Sequence, residues 1–221
     1  LNKPDIKIIT VEDPIEYQLA GVMQTQIDPE NGYTFAAAMR SLLRQNPNIM
    51  MIGEIRDRET MEYGIQFAET GHLVLATLHA NSANQALDRI INFFPEERKH
   101  QLLMDLSLNV RAIVSQRLLP KRDGKGRAAA VEIMLNSPLV SDLIFKGEVH
   151  EIKEIMKKSR ELGMQTFDQH LFELYEAGLV SYEDALRNAD SLNELRLAIK
   201  LQGKEAKGKD VMTGIEHLQI T

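Results

Sequence analysis

Three carboxylates lie close together near the start of the chain, around a proline. Glu12, Asp13 and Glu16 follow directly behind an apolar run at residues 6–11, with Pro14 between them. Burying a carboxylate without a partner is costly, because the interior of a protein solvates the charge poorly. We therefore expect the cluster at the exposed end of a strand, facing a cation or a reacting group.

A fourth carboxylate, Glu54, follows a second apolar run at residues 49–52. In phosphate-handling α/β proteins, a carboxylate at the tip of a strand holds Mg²⁺, usually through water, or orients the attacking water. The alternative is a glutamate that only favours the start of the next helix. Taken alone, the motif is compatible with both interpretations.

Two histidines bracket a third apolar run. His72 opens it and His79 closes it, and an extended strand would separate them by roughly 23 Å along its axis. They cannot both bind one metal ion unless the chain bends, which disfavours a zinc hydrolase. His79, at the same strand end as Glu54, is the better candidate for sensing phosphate or charge, with a packed, hydrogen-bonded histidine as the alternative. On this geometry His72 is a structural residue.

Two arginines, Arg40 and Arg44, precede the strand that leads to Glu54. Their spacing of four residues would place both on one face of a helix, one turn apart. They could pair with the opening carboxylates or reach a phosphate across a subunit boundary. A solvated helix face is the alternative.

The elements that must position these residues alternate in type along the chain. Short apolar runs at residues 6–11, 49–52 and 73–78 are separated by helical patterns at 35–43 and 61–68. A further helix is predicted to begin after Ser82, as its N-cap, and to stop at Pro95, and a longer helix is predicted at about residues 96–116. Alternating strands and helices predict an α/β fold, with a parallel sheet covered on both faces and ligands at the carboxyl ends of the strands. Most of the polar residues named above fall at those ends.

The second half of the chain has a different character. A hairpin is predicted across residues 118–135, with its turn at 123–126. Capping patterns and short apolar stripes predict a small all-helical subdomain at 137–202, and the lysine- and glycine-rich residues 203–221 predict a flexible tail.

Composition excludes several classes of protein. The chain has 221 residues, 43% of them apolar and 26% charged, which is typical of a globular protein rather than a disordered one. A formal charge of −6 with scattered basic residues argues against nucleic acid as a partner. The absence of cysteine excludes disulfides and thiolate metal sites, and no apolar stretch reaches membrane-spanning length. We therefore expect a cytoplasmic protein.

Several motifs together resemble the secretion ATPases that drive type II secretion and type IV pili. They are residues 9–17 (ITVEDPIEY), 53–57 (GEIRD), 69–73 (ETGHL) and 77–81 (TLHAN), in the family's order and with compatible spacing. The resemblance covers about residues 5 to 200 and is strongest to the pilus-retraction branch. It implies a RecA-like P-loop NTPase core at residues 1–136, a hexameric ring, and ATP and Mg²⁺ as cofactors.

The resemblance also assigns roles to individual residues. Residues 9–17 match the family's Asp box, which contains Glu12 and Asp13, and Glu16 is implied as the base that activates water. Glu54 matches the carboxylate of an atypical Walker B motif, linked to Mg²⁺. The segment from His72 to His79 matches the His box, which implies that one or both histidines sense the γ-phosphate.

Two departures from the family pattern shape the prediction. The phosphate-binding motif G-x-x-x-x-G-K-[ST] occurs nowhere in this sequence, so we expect a piece of a longer protein, without measurable ATP hydrolysis of its own. Retraction motors typically carry Ala-Ile-Arg-Asn-Leu-Ile-Arg in the C-terminal region, where this chain has residues 138–145 (PLVSDLIF) without either arginine. That change favours an accessory motor beside a main retraction ATPase, both acting on a platform protein of the inner membrane.

Two other functions stay open at this point. One is an assembly ATPase of the same family, although those typically carry a four-cysteine zinc insertion and this chain has no cysteine. The other is a non-catalytic interaction module.

Overall fold

The structure, a computed structural model, describes residues 1–203. These form two compact units, the first made of residues 1–113 and 136–152 and the second beginning with residues 114–135 and continuing from residue 153. Of the predicted tail at 203–221, all but the first residue lies outside the described residues. No helix within residues 1–203 is long and apolar enough to cross a lipid bilayer.

A four-stranded parallel sheet forms the centre of the first unit, which confirms the predicted α/β class. Its strands are β1 (Ile8–Glu12), β2 (Met23–Gln26), β3 (Ile49–Ile52) and β4 (Leu73–Ala76), in the order β2-β1-β3-β4. In the register of the sheet, Val11 is opposite Ile52, which is opposite Ala76. The carboxyl ends of β1, β3 and β4 are therefore level, so the residues that follow them meet at one edge.

Strand β2 was not predicted from the sequence. It is a four-residue edge strand whose side chains are mostly polar and only partly buried. Such a strand lacks the apolar run that identifies β1 and β3, because only one of its sides pairs with a neighbour.

Five helices belong to the first unit. They are α1 (Phe35–Leu42), α2 (Arg58–Glu69), α3 (Ala83–Asn92), α4 (Glu96–Asn109) and α5 (Pro138–Lys146). The predicted N-cap of α3 is confirmed, since the Ser82 hydroxyl accepts a hydrogen bond from the backbone N–H of Gln85. Helix α4 was predicted to reach residue 116, but it ends at Asn109, and Ala112 already begins the next strand.

As far as residue 203, the second unit combines a β-hairpin with four short helices. The hairpin pairs β5 (Ala112–Pro120) with β6 (Arg127–Leu135), which confirms the predicted hairpin and its end at residue 135, but its first strand begins at Ala112 and not at residue 118. The helices are α6 (Ile152–Lys158), α7 (Phe167–Glu176), α8 (Tyr182–Arg187) and α9 (Leu192–Gln202). Apolar side chains of the hairpin, such as Leu119 and Ala130, share one core with Phe167 and Leu171 of α7.

The two compact units of the structure have different boundaries from the two domains predicted from the sequence. By contacts, most of the hairpin groups with α6 to α9, whereas α5 groups with the first unit. The sequence-based division between an ATPase core at 1–136 and a helical subdomain at 137–202 stays a prediction.

Candidate functional site

Glu54 is the central carboxylate at the carboxyl edge of the sheet. It follows β3 by two residues, and its side chain is only 14% exposed. Both Nε and Nη2 of Arg56 lie 2.7 Å from its Oε2, and Nε2 of His79 lies 3.0 Å from its Oε1. Each carboxylate oxygen therefore has a separate cationic or hydrogen-bonding neighbour, which is how a poorly exposed carboxylate is stabilised.

Arg56 links this carboxylate to the one that follows β1. Its Nη1 lies 3.5 Å from Oδ2 of Asp13. Asp13, Arg56, Glu54 and His79 thus form a chain of contacts across the ends of three neighbouring strands. The structure brings together three of the predicted site residues, and Arg56 joins them. Arg56 was missed as a site residue, although the quoted GEIRD motif contains it.

The close approach of β1 and β3 depends on Gly53. Its backbone N–H donates to the carbonyl of Val11 at 2.7 Å. A Cβ atom at this position would lie 2.9 Å from that carbonyl oxygen and 3.2 Å from Cα of Glu12. Only glycine allows this contact, which sets the spacing between the carboxylates after β1 and those after β3.

His79 is held by its backbone as well as by its ring. Arg89 of α3 donates from Nη1 to the His79 carbonyl at 3.0 Å. The imidazole itself is 77% exposed, so its ring has room to meet a ligand while it contacts Glu54. His79 was predicted from the sequence as a site residue, whereas Arg89 was not.

Glu12 is the exception to the predicted exposed cluster. Asp13 and Glu16 are exposed, as expected, but Glu12 is buried, with 8% of its surface accessible. Its Oε1 accepts hydrogen bonds from the Thr10 hydroxyl and, at 3.0 Å, from Nε2 of Gln24. The expectation of an exposed Glu12 was wrong because two neighbouring donors within the sheet replace water.

Glu16 lies in the exposed loop between β1 and β2. Its side chain makes no hydrogen bond or ion pair with any other residue in the part of the chain that the structure describes. A carboxylate that is free in this way is available to a water molecule or a ligand. The loop's position after β1 places Glu16 three residues beyond Asp13, at the same end of the sheet.

His72 lies at the other end of the sheet, before β4 begins. Its Nδ1 is 3.1 Å from the Phe67 carbonyl and 2.9 Å from the Thr70 hydroxyl, and its ring meets that of Phe67 edge to face. These contacts tie the end of α2 to the start of β4. His72 therefore does not join the group around Glu54, in agreement with the strand geometry predicted from the sequence.

The two arginines before β3 do not share a helix. Arg40 lies on α1, where its Nε donates to the Tyr63 hydroxyl at 3.1 Å. Arg44 falls in a 3₁₀ turn at residues 43–45, because Asn46 adopts a left-handed φ of 50° and Pro47 follows it. The regular α-helix expected for both arginines therefore ends at Leu42, before Arg44. Within residues 1–203, the exposed Arg44 makes no hydrogen bond or ion pair.

Among these residues, Glu54 is the one candidate ligand for Mg²⁺. No group of three or more potential metal-binding side chains occurs in residues 1–203. Glu54 has the hard oxygen donors that Mg²⁺ prefers, and a single carboxylate is enough when water and phosphate oxygens complete the octahedron. The residues fit an ion that arrives with a nucleotide, not a metal held by protein alone.

Comparison with known proteins decides the family. The profile described as "T2SSE: Type II/IV secretion system protein" matches residues 1–187. The chain belongs to this family.

Its relatives in the secretion family include pilus ATPases. The chain is 59% identical over 219 residues to the type IV pilus ATPase PilU of Pseudomonas aeruginosa, covering 96% of this chain and 56% of that protein. It is 39% identical over 186 residues to the "Type IV pilus retractation ATPase PilT" of the same organism, covering 82% of this chain and 54% of the relative. The chain thus spans about half the length of the curated relatives it matches.

A solved structure supports the fold of this family member. The crystal structure of the pilus retraction motor PilT with bound ADP is similar to 87% of this chain, with a TM-score of 0.77 and 37% identity. The match covers 55% of that chain. The α/β architecture described above is therefore that of a known nucleotide-binding motor.

Proposed function

We propose that the whole protein is a hexameric ATP-hydrolysing motor that powers type IV pilus retraction, as an accessory ATPase of the PilU type. The observation that carries the proposal is the contact chain from Asp13 through Arg56 and Glu54 to His79, where three strands of a parallel sheet end. This edge is where α/β proteins bind their ligands. The 59% identity to PilU over almost the whole chain favours the accessory branch.

Each polar residue at the edge has a role in this proposal. Glu16, exposed and free of partners in residues 1–203, takes a proton from the attacking water. Glu54 would hold Mg²⁺ through water, and the ion, when bound with ATP, would supply positive charge that neutralises the phosphates. His79, hydrogen-bonded to Glu54 and otherwise exposed, contacts the γ-phosphate and reports its presence to α3 through Arg89.

The other predicted site residues receive different roles. His72 is proposed to be structural, because both of its polar contacts lie within the α2 to β4 connection. Arg40 is proposed to brace α1 against α2 through Tyr63 and Glu59. Arg44, exposed and unpaired within the described residues, is kept as a candidate for a phosphate of a neighbouring subunit.

The setting follows from the same proposal. The motor acts in the cytoplasm, at the inner membrane, on the pilus platform protein and together with a main retraction ATPase. Because the motif G-x-x-x-x-G-K-[ST] is absent from these 221 residues, they are not expected to hydrolyse ATP alone.

Turnover by the whole protein after Glu16→Gln substitution tests the proposal. Loss of a general base lowers kcat by about 10²- to 10⁴-fold, while the affinity for a nucleotide should stay within a few-fold of wild type. Glu183→Gln, the same change at an exposed position of the second unit, serves as the matched control and should leave turnover unchanged. Wild-type turnover in the Glu16→Gln protein would remove Glu16 from the role of base.

A further inference from the structure

The loop that carries Glu16 is fastened to the sheet by side chains of the edge strand β2. Gln24 makes three hydrogen bonds: its Oε1 accepts from the backbone N–H of Leu19 at 2.6 Å, and its Nε2 donates to the Tyr17 carbonyl at 2.9 Å and to Glu12 Oε1 at 3.0 Å. One side chain thus joins the loop to the end of β1. Without it, residues 17–19 would lose their polar contacts to the sheet.

Gln26 holds the other side of Glu16. Its Oε1 accepts a hydrogen bond from the backbone N–H of Ile15 at 3.2 Å. Gln24 and Gln26 are two residues apart on a strand, so both side chains point to the same face of the sheet. They fix the residues directly before and directly after Glu16 in the sequence, namely Ile15 and Tyr17.

The chemistry at position 24 requires an amide. The two groups that face Nε2, a carboxylate and a carbonyl, can only accept, whereas the N–H of Leu19 can only donate. A glutamate would offer no hydrogen to Glu12 or Tyr17 and would add a second negative charge beside the buried Glu12. An alanine would leave all three groups without this partner, and Glu12 would keep only Thr10.

Among residues 1–203, no hydrogen bond or ion pair fixes the Glu16 side chain, so its place depends on the backbone that carries it. We infer that Gln24 is a positioning residue that acts through Glu16, with Gln26 as its counterpart on the preceding side of the loop. The inference rests on the proposed role of Glu16 as the base. Displacing a catalytic group by about 1 Å can lower a rate 10²-fold, so a loosened loop should reduce turnover without abolishing nucleotide binding.

The test measures ATP turnover of the whole protein with Gln24→Ala, Gln24→Glu and a control, Gln116→Ala, at an exposed position of β5. We expect both changes at Gln24 to lower kcat by about 10- to 100-fold with KM nearly unchanged, and the control to match wild type. The isosteric Gln24→Glu keeps the acceptor for Leu19 and serves if the alanine protein does not fold.

Combining each Gln24 change with Glu16→Gln distinguishes a role of Gln24 through Glu16 from a purely structural role. If Gln24 acts through Glu16, its replacement should change kcat by less than about twofold once the base is gone, since residues that act as a unit are strongly non-additive. Equal losses in both backgrounds would overturn the inference. If Glu16→Gln alone leaves turnover intact, the proposed function fails instead, which is a different outcome.

Hydrogen exchange in the 221-residue chain provides a readout that does not depend on activity. The amide of Leu19 should exchange at least about tenfold faster in Gln24→Ala, because it loses its acceptor. The amide of Gln85, capped by Ser82 on α3, should exchange as in wild type. An unchanged rate at Leu19 would contradict the fastening of the loop by Gln24.

Discussion

Replacing Gly53 with alanine tests whether the close contact between β1 and β3 sets the site. The added Cβ would lie 2.9 Å from the Val11 carbonyl oxygen, closer than such atoms approach each other, and 3.2 Å from Cα of Glu12. Both of these atoms belong to backbone, so neither can turn away as a side chain can. The strands must separate.

The expected cost combines two effects. Forcing an extra methyl group into a packed region costs about 1–3 kcal/mol. Strand separation also weakens the 2.7 Å hydrogen bond from the Gly53 N–H to Val11, which contributes about 1 kcal/mol. The free energy of unfolding should therefore fall by about 2–4 kcal/mol.

Urea denaturation of the 221-residue chain, followed by circular dichroism, measures this loss. Gly64→Ala is the matched control: the same methyl group would meet only Cδ1 of Ile52, at 3.3 Å, and that flexible end can shift. Alanine is also favoured by up to about 1 kcal/mol over glycine within a helix, so this protein should unfold within about 1 kcal/mol of wild type. Equal stability of the two alanine proteins would refute the reasoning.

Three further predictions concern histidines and one partly buried arginine. Replacing His72 with alanine should lower the melting temperature and leave ATP turnover of the whole protein unchanged. Replacing His79 with alanine should lower turnover and leave the melting temperature unchanged. The reverse pattern would contradict both assignments. Burial lowers the pKa of His170 below its ordinary value of 6.5. The folded state then binds fewer protons than the unfolded state, so stability should decline as pH falls below about 6.5, and His170→Asn should weaken that decline in urea titrations at several pH values. Arg117→Lys should cost about 1–3 kcal/mol in urea, because lysine cannot hold both the Asn188 carbonyl and the carboxylate of Asp190; an unchanged midpoint would show that the arginine fork contributes little.

The sequence predicted the parts of the fold that depend on local pattern. The apolar runs of β1 and β3 are buried on both faces, which makes them recognisable, and Ser82 marks the start of α3 by its capping geometry. Strand β2 lacked such a signal, because three of its four residues are polar and none of the four is buried. Its existence depends on pairing with β1, which is a tertiary contact.

The residues of the candidate site also fall into those that local pattern predicts and those that depend on tertiary contacts. Residue types at strand ends were enough to single out Glu54 and His79, since the carboxyl ends of parallel strands share one edge. The burial of Glu12 was not predictable, because it depends on a hydrogen bond from Gln24, twelve residues away. Arg89 likewise reaches His79 only through the packing of α3.

A structure of the whole protein with Mg²⁺ and a non-hydrolysable ATP analogue tests the central claim most directly. The account predicts that the terminal phosphate lies at the carboxyl edge of the sheet, with the carboxylates of Glu54 and Glu16 both beside it. A triphosphate bound away from Glu54, or a Glu16 carboxylate that faces another side of the molecule, would contradict it.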